Sequence, residues 1–445
     1  MQDEQLTFDL IVIGAGMAGL SAAARAAEAG LRVVVIEAAA EVGGSAAMSG
    51  GILWTLESTA KMAYHGGGDP AFSALVAQGY RDGVAWLRGR DVHMSNVVNP
   101  LNGRGYQADL LGHFAQAVVT VEGAGGIVVR DTRVERLLTD AEGRVVGAHT
   151  VHADGEMDIF APWTLLSTGG FQGSAELREA YLGPNGRSVL LRSNPTSDGA
   201  GLRLGTAAGG DAPKGNLGFY GHLVSGSPAW GDPRLFTRLS QYHSDYTVLL
   251  NEAGHRFCDE SEGDHANTHQ TLQQPGGRAL MVSDDAIHQA HGVTAVVEVA
   301  PPEDRMQVAL EHGGEGIVAD TLDEIASFAG AHGFDRGQCL ATLSDYNRCA
   351  REDWENLSPP RVHQPHKPLA RAPYYGLIVY PAITFTFAGL RCDDRMRVLR
   401  ADGAPVGGLL AAGADVGDVY RGGYGGGLAA ALTTGLRAAG TVMGG

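Results

Sequence analysis

The chain has 445 residues, more than one hydrophobic core usually serves, so two domains are expected. Its 44% hydrophobic and 19% charged residues give a globular rather than a disordered composition, and a formal net charge of −17 argues against the basic face that a nucleic-acid partner needs. Cys258, Cys339, Cys349 and Cys392 have no CxxC or zinc-ligand spacing, the start MQDEQLTFDL lacks the features of a signal peptide, and no run of about 18 apolar residues spans a membrane; a cytoplasmic protein with reduced, buried thiols is expected.

In chain order, the first signal is residues 9–45, DLIVIGAGMAGLSAAARAAEAGLRVVVIEAAAEVGGS. An apolar run at 10–13, an Ala-rich helix ending near Gly30 and a second apolar run at 31–36 make a βαβ unit. Gly14, Gly16, Ala18 and Gly19 lie where the strand turns into the helix, and backbone there must approach a pyrophosphate closely. Helix N-terminal N–H groups favour phosphate at that end. Glu37, followed by Ala38, ends the second strand, where an acid accepts from a ribose diol and repels a 2′-phosphate, so NADP is disfavoured. Strand before, helix after and an acid at this distance make a dinucleotide site the expectation.

Residues 41–54, EVGGSAAMSGGILW, follow directly, and the small residues Gly43, Gly44, Ser45, Ser49, Gly50 and Gly51 let backbone lie against a flat ligand. From this segment on, the chain resembles the flavoprotein family that includes fumarate reductase flavoprotein subunits, ketosteroid dehydrogenases and tricarballylate dehydrogenase. The resemblance implies FAD. Some relatives attach it through a histidine in this segment; none occurs between Glu37 and Trp54, so non-covalent binding is expected.

Residues 71–90 and 107–124 read as helices, and residues 127–151 as strands with AEGR as a hairpin turn. In the resemblance this is a small meander, with Val134 backbone against the adenine. TLLSTGGF, 164–171, reads as a buried strand and resembles the family's ATGGF signature, which brings Thr168, Gly169 and Gly170 to the dinucleotide. SDGAGLRLGTAAGG, 197–210, reads as an N-capped helix. Asp198 there is either its cap or part of the family's GDG contact to FAD.

Residues 218–381 are richer in histidine and aromatics and lose the βαβ pattern. We expect an α/β fold with a discontinuous Rossmann-like FAD-binding domain, 1–217 and 382–445, and an inserted α+β capping domain, 218–381, that closes over the isoalloxazine. Within the insert, residues 247–269 resemble the family's N-x-x-G-x-R-F-x-D-E strand-turn-strand element, and PPRVHQPHKP, 359–368, reads as a return linker. At the end of the chain a strand at 409–412, a Gly-rich turn and a helix at 427–439 repeat the phosphate-site design. The resemblance brings Gly413 and Asp415 to the ribityl chain, and the helix start, Gly427 and Leu428, to the flavin ring, where its dipole stabilises an anionic reduced flavin.

A flavin takes a hydride, so the protein must handle a proton and a developing oxyanion. The arginine that donates the proton in fumarate reductases has no counterpart in SEGDHANTHQT, and TFTFAG replaces the family's histidine-TMGG stretch, which weighs against dicarboxylate reduction. Tyr424 in RGGYGGG occupies the place where ketosteroid dehydrogenases polarise the substrate carbonyl; packing against the helix is the alternative. His222 corresponds to a substrate-site histidine, with a core histidine as the alternative. In LSQYHSDY, Tyr242, His243 or Tyr246 can serve as base, and in a strand Tyr242 and His243 take opposite faces. His265 and His269 have helical i,i+4 spacing but no matching carboxylate, so no metal is expected. The expected reaction is desaturation of a Cα–Cβ bond beside a carbonyl or carboxylate of a small molecule, with an external electron acceptor. The alternatives are an enoate or fumarate-type reductase fed by an external donor, a NAD-linked dehydrogenase, and a catalytically silent flavin-binding protein.

Overall fold

The computed structural model describes residues 6–56, 58–99, 103–215, 217–295, 301–363 and 367–444; the first five residues and residues 364–366 of the proline-rich linker lie outside the described residues. The chain forms two compact units. Met1–Leu177, Ser193–Tyr220 and Phe385–Gly445 make the first, and Arg178–Arg192 and Gly221–Thr384 the second.

The first unit is built on β1 (Leu10–Ile13) and β2 (Val33–Ile36), apolar runs buried at every position, as strands covered on both faces must be. They pair in parallel, Leu10 opposite Val33, and α1 (Met17–Glu28) joins them. Trp163–Leu166 pairs in parallel with the other side of β1, Pro405–Ala411 lies beside that strand, and Ile127–Val129 lies beside β2. Arg397–Leu399 closes one edge antiparallel, completing a six-stranded sheet. The two ends of the sequence thus meet in one sheet, with only Trp163–Leu166 between β1 and Pro405–Ala411.

Helix α1 is rich in Ala and Gly because its neighbours approach to backbone contact. A Cβ on Gly19 would lie 2.0 Å from Gly14 O, and one on Gly435, in the last helix Gly427–Val442, 2.4 Å from Ala18 O. An antiparallel meander of Arg133–Thr139, Val145–His152 and Gly155–Phe160 has its first turn where AEGR predicts it, with Asp140 Oδ1 accepting from Arg144 N.

In the second unit the long strand Tyr374–Thr386, all but its last two residues, is central. It pairs antiparallel with Ala279–Asp284 and with Gly316–Ala319, and in parallel with Leu190–Leu191; Val248–Leu250 extends the sheet. Alternation sorts the side chains. Val248, Leu250, Leu280 and Val282 enter a core with Ile325 and Leu343, whereas Leu249, Met281, Leu377 and Val379 pack on the opposite face. The helices that cover the first face, Leu322–Ala331 and Arg336–Glu352, begin at a Thr321–Glu324 capping box and an Asp335 cap.

Two local readings need correction, and one stretch left open by the sequence is decided. The stretch read as strand-turn-strand keeps its strand, Val248–Leu250, and its turn at Gly254 (φ +82°), but the return is a single bridge, Leu250 to Arg256. The chain leaves the sheet there because Arg256 turns inward to Glu260, at 2.9 and 2.5 Å, both side chains being buried. Residues 239–246 are not a strand: after one bridge, Val224 to Ser240, they turn into a 3-10 helix, Ser244–Tyr246. The helix in 197–210 is Ala200–Ala207 with Gly199 (φ +85°) at its N-cap; Asp198 is not the cap, its carboxylate being drawn away by Arg203 at 3.0 Å and Arg133 at 3.5 Å. All four cysteines are buried and unpaired. Among the described residues no helix is long and apolar enough to cross a membrane.

Candidate active site

The first unit carries a cradle made of backbone. Gly14 adopts φ +99°, and a Cβ there would lie 2.3 Å from Ser167 O, so the turn out of β1 admits only glycine. Gly16 is the N-cap of α1 and supplies no side-chain cap, which leaves the helix-end N–H groups for a ligand to use. A Cβ on Gly16 would have Gly43 O, 3.9 Å away, as its nearest protein neighbour; around Gly44 the nearest atoms are 3.8 and 3.9 Å away, and none comes within 4 Å at Gly50. Unlike Gly14 and Gly19, these glycines are not required by packing within the protein. They leave the groove that a flat dinucleotide needs. Gly43 N bonds Ala15 O at 2.8 Å and stitches the 43–51 segment to the first turn. Ser45 bonds Ser193 at 2.7 Å, and Ser49 Oγ donates to Ala46 O and accepts from Gly51 N.

Glu37 is 7% exposed. Its oxygens accept from Ala15 N at 2.7 Å and Ala39 N at 2.9 Å, so the carboxylate is fixed by the backbone of both strand ends. A carboxylate has about four acceptor positions, and two remain for ribose hydroxyls. Val134 lies in the meander opposite Thr150, and Glu37 O accepts from Thr132 N, which ties the meander to the acid.

Asp415 is buried against Thr168: Oδ2 accepts from Thr168 N at 2.5 Å and Oδ1 from Thr168 Oγ1 at 3.2 Å. Thr168 Oγ1 accepts in turn from Gly201 N at 2.8 Å. Burial pushes the Asp415 carboxyl up to about 7, against the pull of the Thr168 and Gly169 hydrogen bonds. The fold thus brings Thr168, Gly169 and Asp415 together; Gly170 adjoins Thr386, and Gly413 N bonds Thr434 Oγ1 at 2.9 Å.

Tyr424 sits at the start of the last helix. Its Oη accepts from Gly427 N at 2.8 Å, its ring stacks on Tyr220 with centroids 3.7 Å apart, and Trp54, Phe385 and Tyr420 stand edge-on at 5.4 to 6.0 Å. The two readings made for this tyrosine are therefore not exclusive, since it packs at the helix end and also holds its phenol among aromatic rings. Arg421 pairs with Asp418 at 2.5 Å on an exposed turn.

The second unit carries the other expected groups. His222, in the strand Phe219–Ser225, is buried with Nδ1 2.5 Å from Asp264 Oδ2, and the Tyr242 ring meets it edge-on at 4.7 Å. Burial lowers the His222 pKa; Asp264 opposes this, and Arg192 and Arg305 add to it. Tyr242 Oη accepts from Arg192 at 2.9 Å, and the guanidinium of Arg305 lies 4.7 Å over its ring. His243 is a different case. Burial pushes it down to about 3, and its Nδ1 finds no hydrogen-bond partner among the described residues, so it stays neutral and is a poor base at neutral pH. His265 and His269 share the helix Asp264–Leu272 with ring centroids 4.6 Å apart, and no group of three metal ligands occurs among the described residues.

Asp264, Arg192 and Arg305 were not singled out in the sequence. They lie 42, 30 and 83 residues from His222, and none is a fixed position of a motif quoted above. The one available signal for Asp264 was an acid at the start of a helix, which a helix dipole explains equally well.

The family described as FAD binding domain matches residues 9–430. A urocanate reductase of Eggerthella lenta is 27% identical over 92% of this chain and 70% of its own length. A 4-oxocyclohexanecarboxylate 2-dehydrogenase of Sinomonas cyclohexanicum is 26% identical over 98% of this chain and 93% of its own. Among solved structures, the 3-ketosteroid delta1-dehydrogenase from Sterolibacterium denitrificans, in complex with 1,4-androstadiene-3,17-dione, has the same fold: TM-score 0.76, 18% identity, 99% of this chain and 100% of that one.

Proposed function

Because this chain belongs to the FAD binding domain family and is an FAD-dependent oxidoreductase, we propose that it oxidises a Cα–Cβ single bond beside the carbonyl of a small cyclic ketone or keto acid. Relatives whose names include a C–C dehydrogenase and a urocanate reductase support the coarser statement, chemistry at a carbon–carbon bond in one direction or the other. FAD, when bound, supplies the hydride acceptor. Gly14, Gly16, Ala18 and Gly19 would hold its pyrophosphate and Glu37, beside Ala38, its ribose. Segment 43–51, Val134, Thr168 to Gly170, Asp198, Gly413, Asp415, Gly427 and Leu428 would line the remainder. Attachment is non-covalent, consistent with the absence of histidine between Glu37 and Trp54.

The observation that carries the ketone reading is Tyr424. An N–H donated into its phenol oxygen polarises the O–H and makes it a stronger donor to a carbonyl oxygen that gains charge. The stacked and edge-on rings around it suit a flat, apolar substrate better than a dicarboxylate. The proton on the α carbon needs a base, for which His222 and Tyr242 are the candidates, and the electrons pass finally to an external acceptor.

Anaerobic bleaching of the yellow enzyme by a panel of cyclic ketones, keto acids and saturated acids tests the reading. A cyclic ketone is expected to bleach it, and Tyr424→Phe to slow that bleaching roughly 100-fold or more. Bleaching by no ketone, together with rapid reoxidation of the reduced enzyme by urocanate or fumarate, would establish the reductase instead.

A further inference from the structure

We infer that Asn194 is a further ligand of FAD, its side-chain amide donating to the pyrophosphate from the wall of the groove that faces the start of α1. The inference rests on the placement of the pyrophosphate proposed above. It goes beyond that placement by adding a side chain where the phosphate contacts are otherwise backbone.

The groove itself points to this residue. A Cβ placed on Gly44 (φ +50°) would have Asn194 Nδ2 at 3.8 Å and Gly16 Cα at 3.9 Å as its nearest neighbours. The space beside Gly44 is therefore bounded on one side by the start of α1 and on the other by a carboxamide. That carboxamide is held in place. Its Oδ1 accepts from Thr196 N at 3.1 Å, and Asn194 O accepts from Ser197 N at 3.3 Å. Below the turn, a Cβ on Gly173 would lie 2.4 Å from Pro195 O, so the 193–197 loop rests directly on backbone. Ser193 is 4% exposed and bonds Ser45, the residue after Gly44, at 2.7 Å. The loop is thus tied to both walls of the groove, and all of these residues belong to the first unit. A donor fixed before the ligand arrives loses little freedom on binding it.

The chemistry of the amide then selects the ligand atom. A carboxamide carries one acceptor oxygen and two N–H donors. With Oδ1 engaged by Thr196 N, the nitrogen is turned toward Gly44, and among the described residues its N–H groups meet no acceptor. The turn at Thr196 needs only an acceptor, which Asp or Ser supplies as well as Asn. The donors are what Asn adds. They face a gap whose other side is a helix N-terminus, where N–H groups and the helix dipole favour an anion. The non-bridging oxygens of a pyrophosphate can accept from both walls at once, from α1 on one side and from Asn194 on the other.

Two substitutions separate the ligand role from the turn. Asn194→Asp keeps the shape and the acceptor for Thr196 N but exchanges the donors for negative charge; Asn194→Ser keeps an acceptor and adds no charge. Flavin-free melting temperatures are expected to stay near wild type in both. FAD affinity, read by flavin fluorescence, is expected to fall roughly 10-fold in the Ser variant and 100-fold or more in the Asp variant. ADP carries the pyrophosphate without the flavin, and its affinity, read by displacement of FAD, is expected to fall in the same order. Gly16→Ala serves as the control for the placement. If it loses FAD affinity while both Asn194 variants stay within a few-fold of wild type, the inference is overturned and the placement stands. A loss for FAD without a loss for ADP also overturns it, since the amide would then serve the flavin half. A Gly16→Ala protein that binds FAD like wild type removes the placement and the inference with it.

Discussion

The two units build their sites from different materials. In the first, the cradle of Gly14, Gly16, Gly43 and Gly44 is backbone, and the few side chains involved, Glu37 and Asp415, are themselves held by backbone N–H groups. In the second, His222, Asp264, Tyr242, Arg192 and Arg305 hold one another, and their backbones belong to five separate stretches. A cradle of backbone requires small residues at fixed spacings. A cluster of side chains requires only that the fold bring them together.

The contrast can be broken first at the second unit's brace. Glu260 is fully buried and takes Arg256, Arg361 at 3.6 Å and Leu249 N. Glu260→Ala leaves two guanidiniums without their carboxylate, and a loss of about 3 to 5 kcal/mol is expected in urea unfolding. A loss under about 1 kcal/mol would show that this unit does not depend on single side chains.

The first unit also carries a side-chain device away from the cradle. His113 is fully buried with Nε2 3.1 Å from Ser21 Oγ on α1, and burial pushes it down to about 4. In the unfolded chain a histidine titrates near 6.5, so the unfolded state takes up the proton first. Stability is thus full above about pH 6.5 and is lost as pH falls toward 4, by on the order of 3 kcal/mol. His243, pushed to about 3, acts with the same sign. Melting temperature followed from neutral to acid pH should fall, and less steeply in His113→Gln.

The cradle itself is sharpened by two alanines. Gly19→Ala puts a Cβ 2.0 Å from Gly14 O and should cost about 1 to 3 kcal/mol of stability. Gly16→Ala meets no protein atom closer than 3.9 Å, so the melting temperature of the flavin-free protein should hold while FAD affinity, read by flavin fluorescence, falls roughly 10-fold or more. Equal losses of stability in both would remove the distinction between a packing glycine and a ligand glycine. The smallest effect belongs to Asp198→Ala. Its partly exposed pairs with Arg203 and Arg133 are worth less than about 1 kcal/mol, whereas a helix cap would cost more, and thermal melts decide.

The legibility of each region follows from the same contrast. The βαβ unit, the helix at 110–123, the meander with its 140–144 turn and the last strand and helix were readable because periodicity and glycine spacing are local quantities. Whether Asp198 caps its helix was not legible because capping depends on which backbone turns at Gly199, nor was the turn around Tyr242, because burial of a turn resembles burial of a strand. By itself, then, the sequence determined the glycine-lined turn of the βαβ unit and the acid at the end of its second strand, since close approach of backbone leaves glycines at set intervals. Tertiary structure alone decided that Asp264 would meet His222 and that two arginines would flank Tyr242, because contacts between side chains tens of residues apart impose no spacing on the chain that carries them.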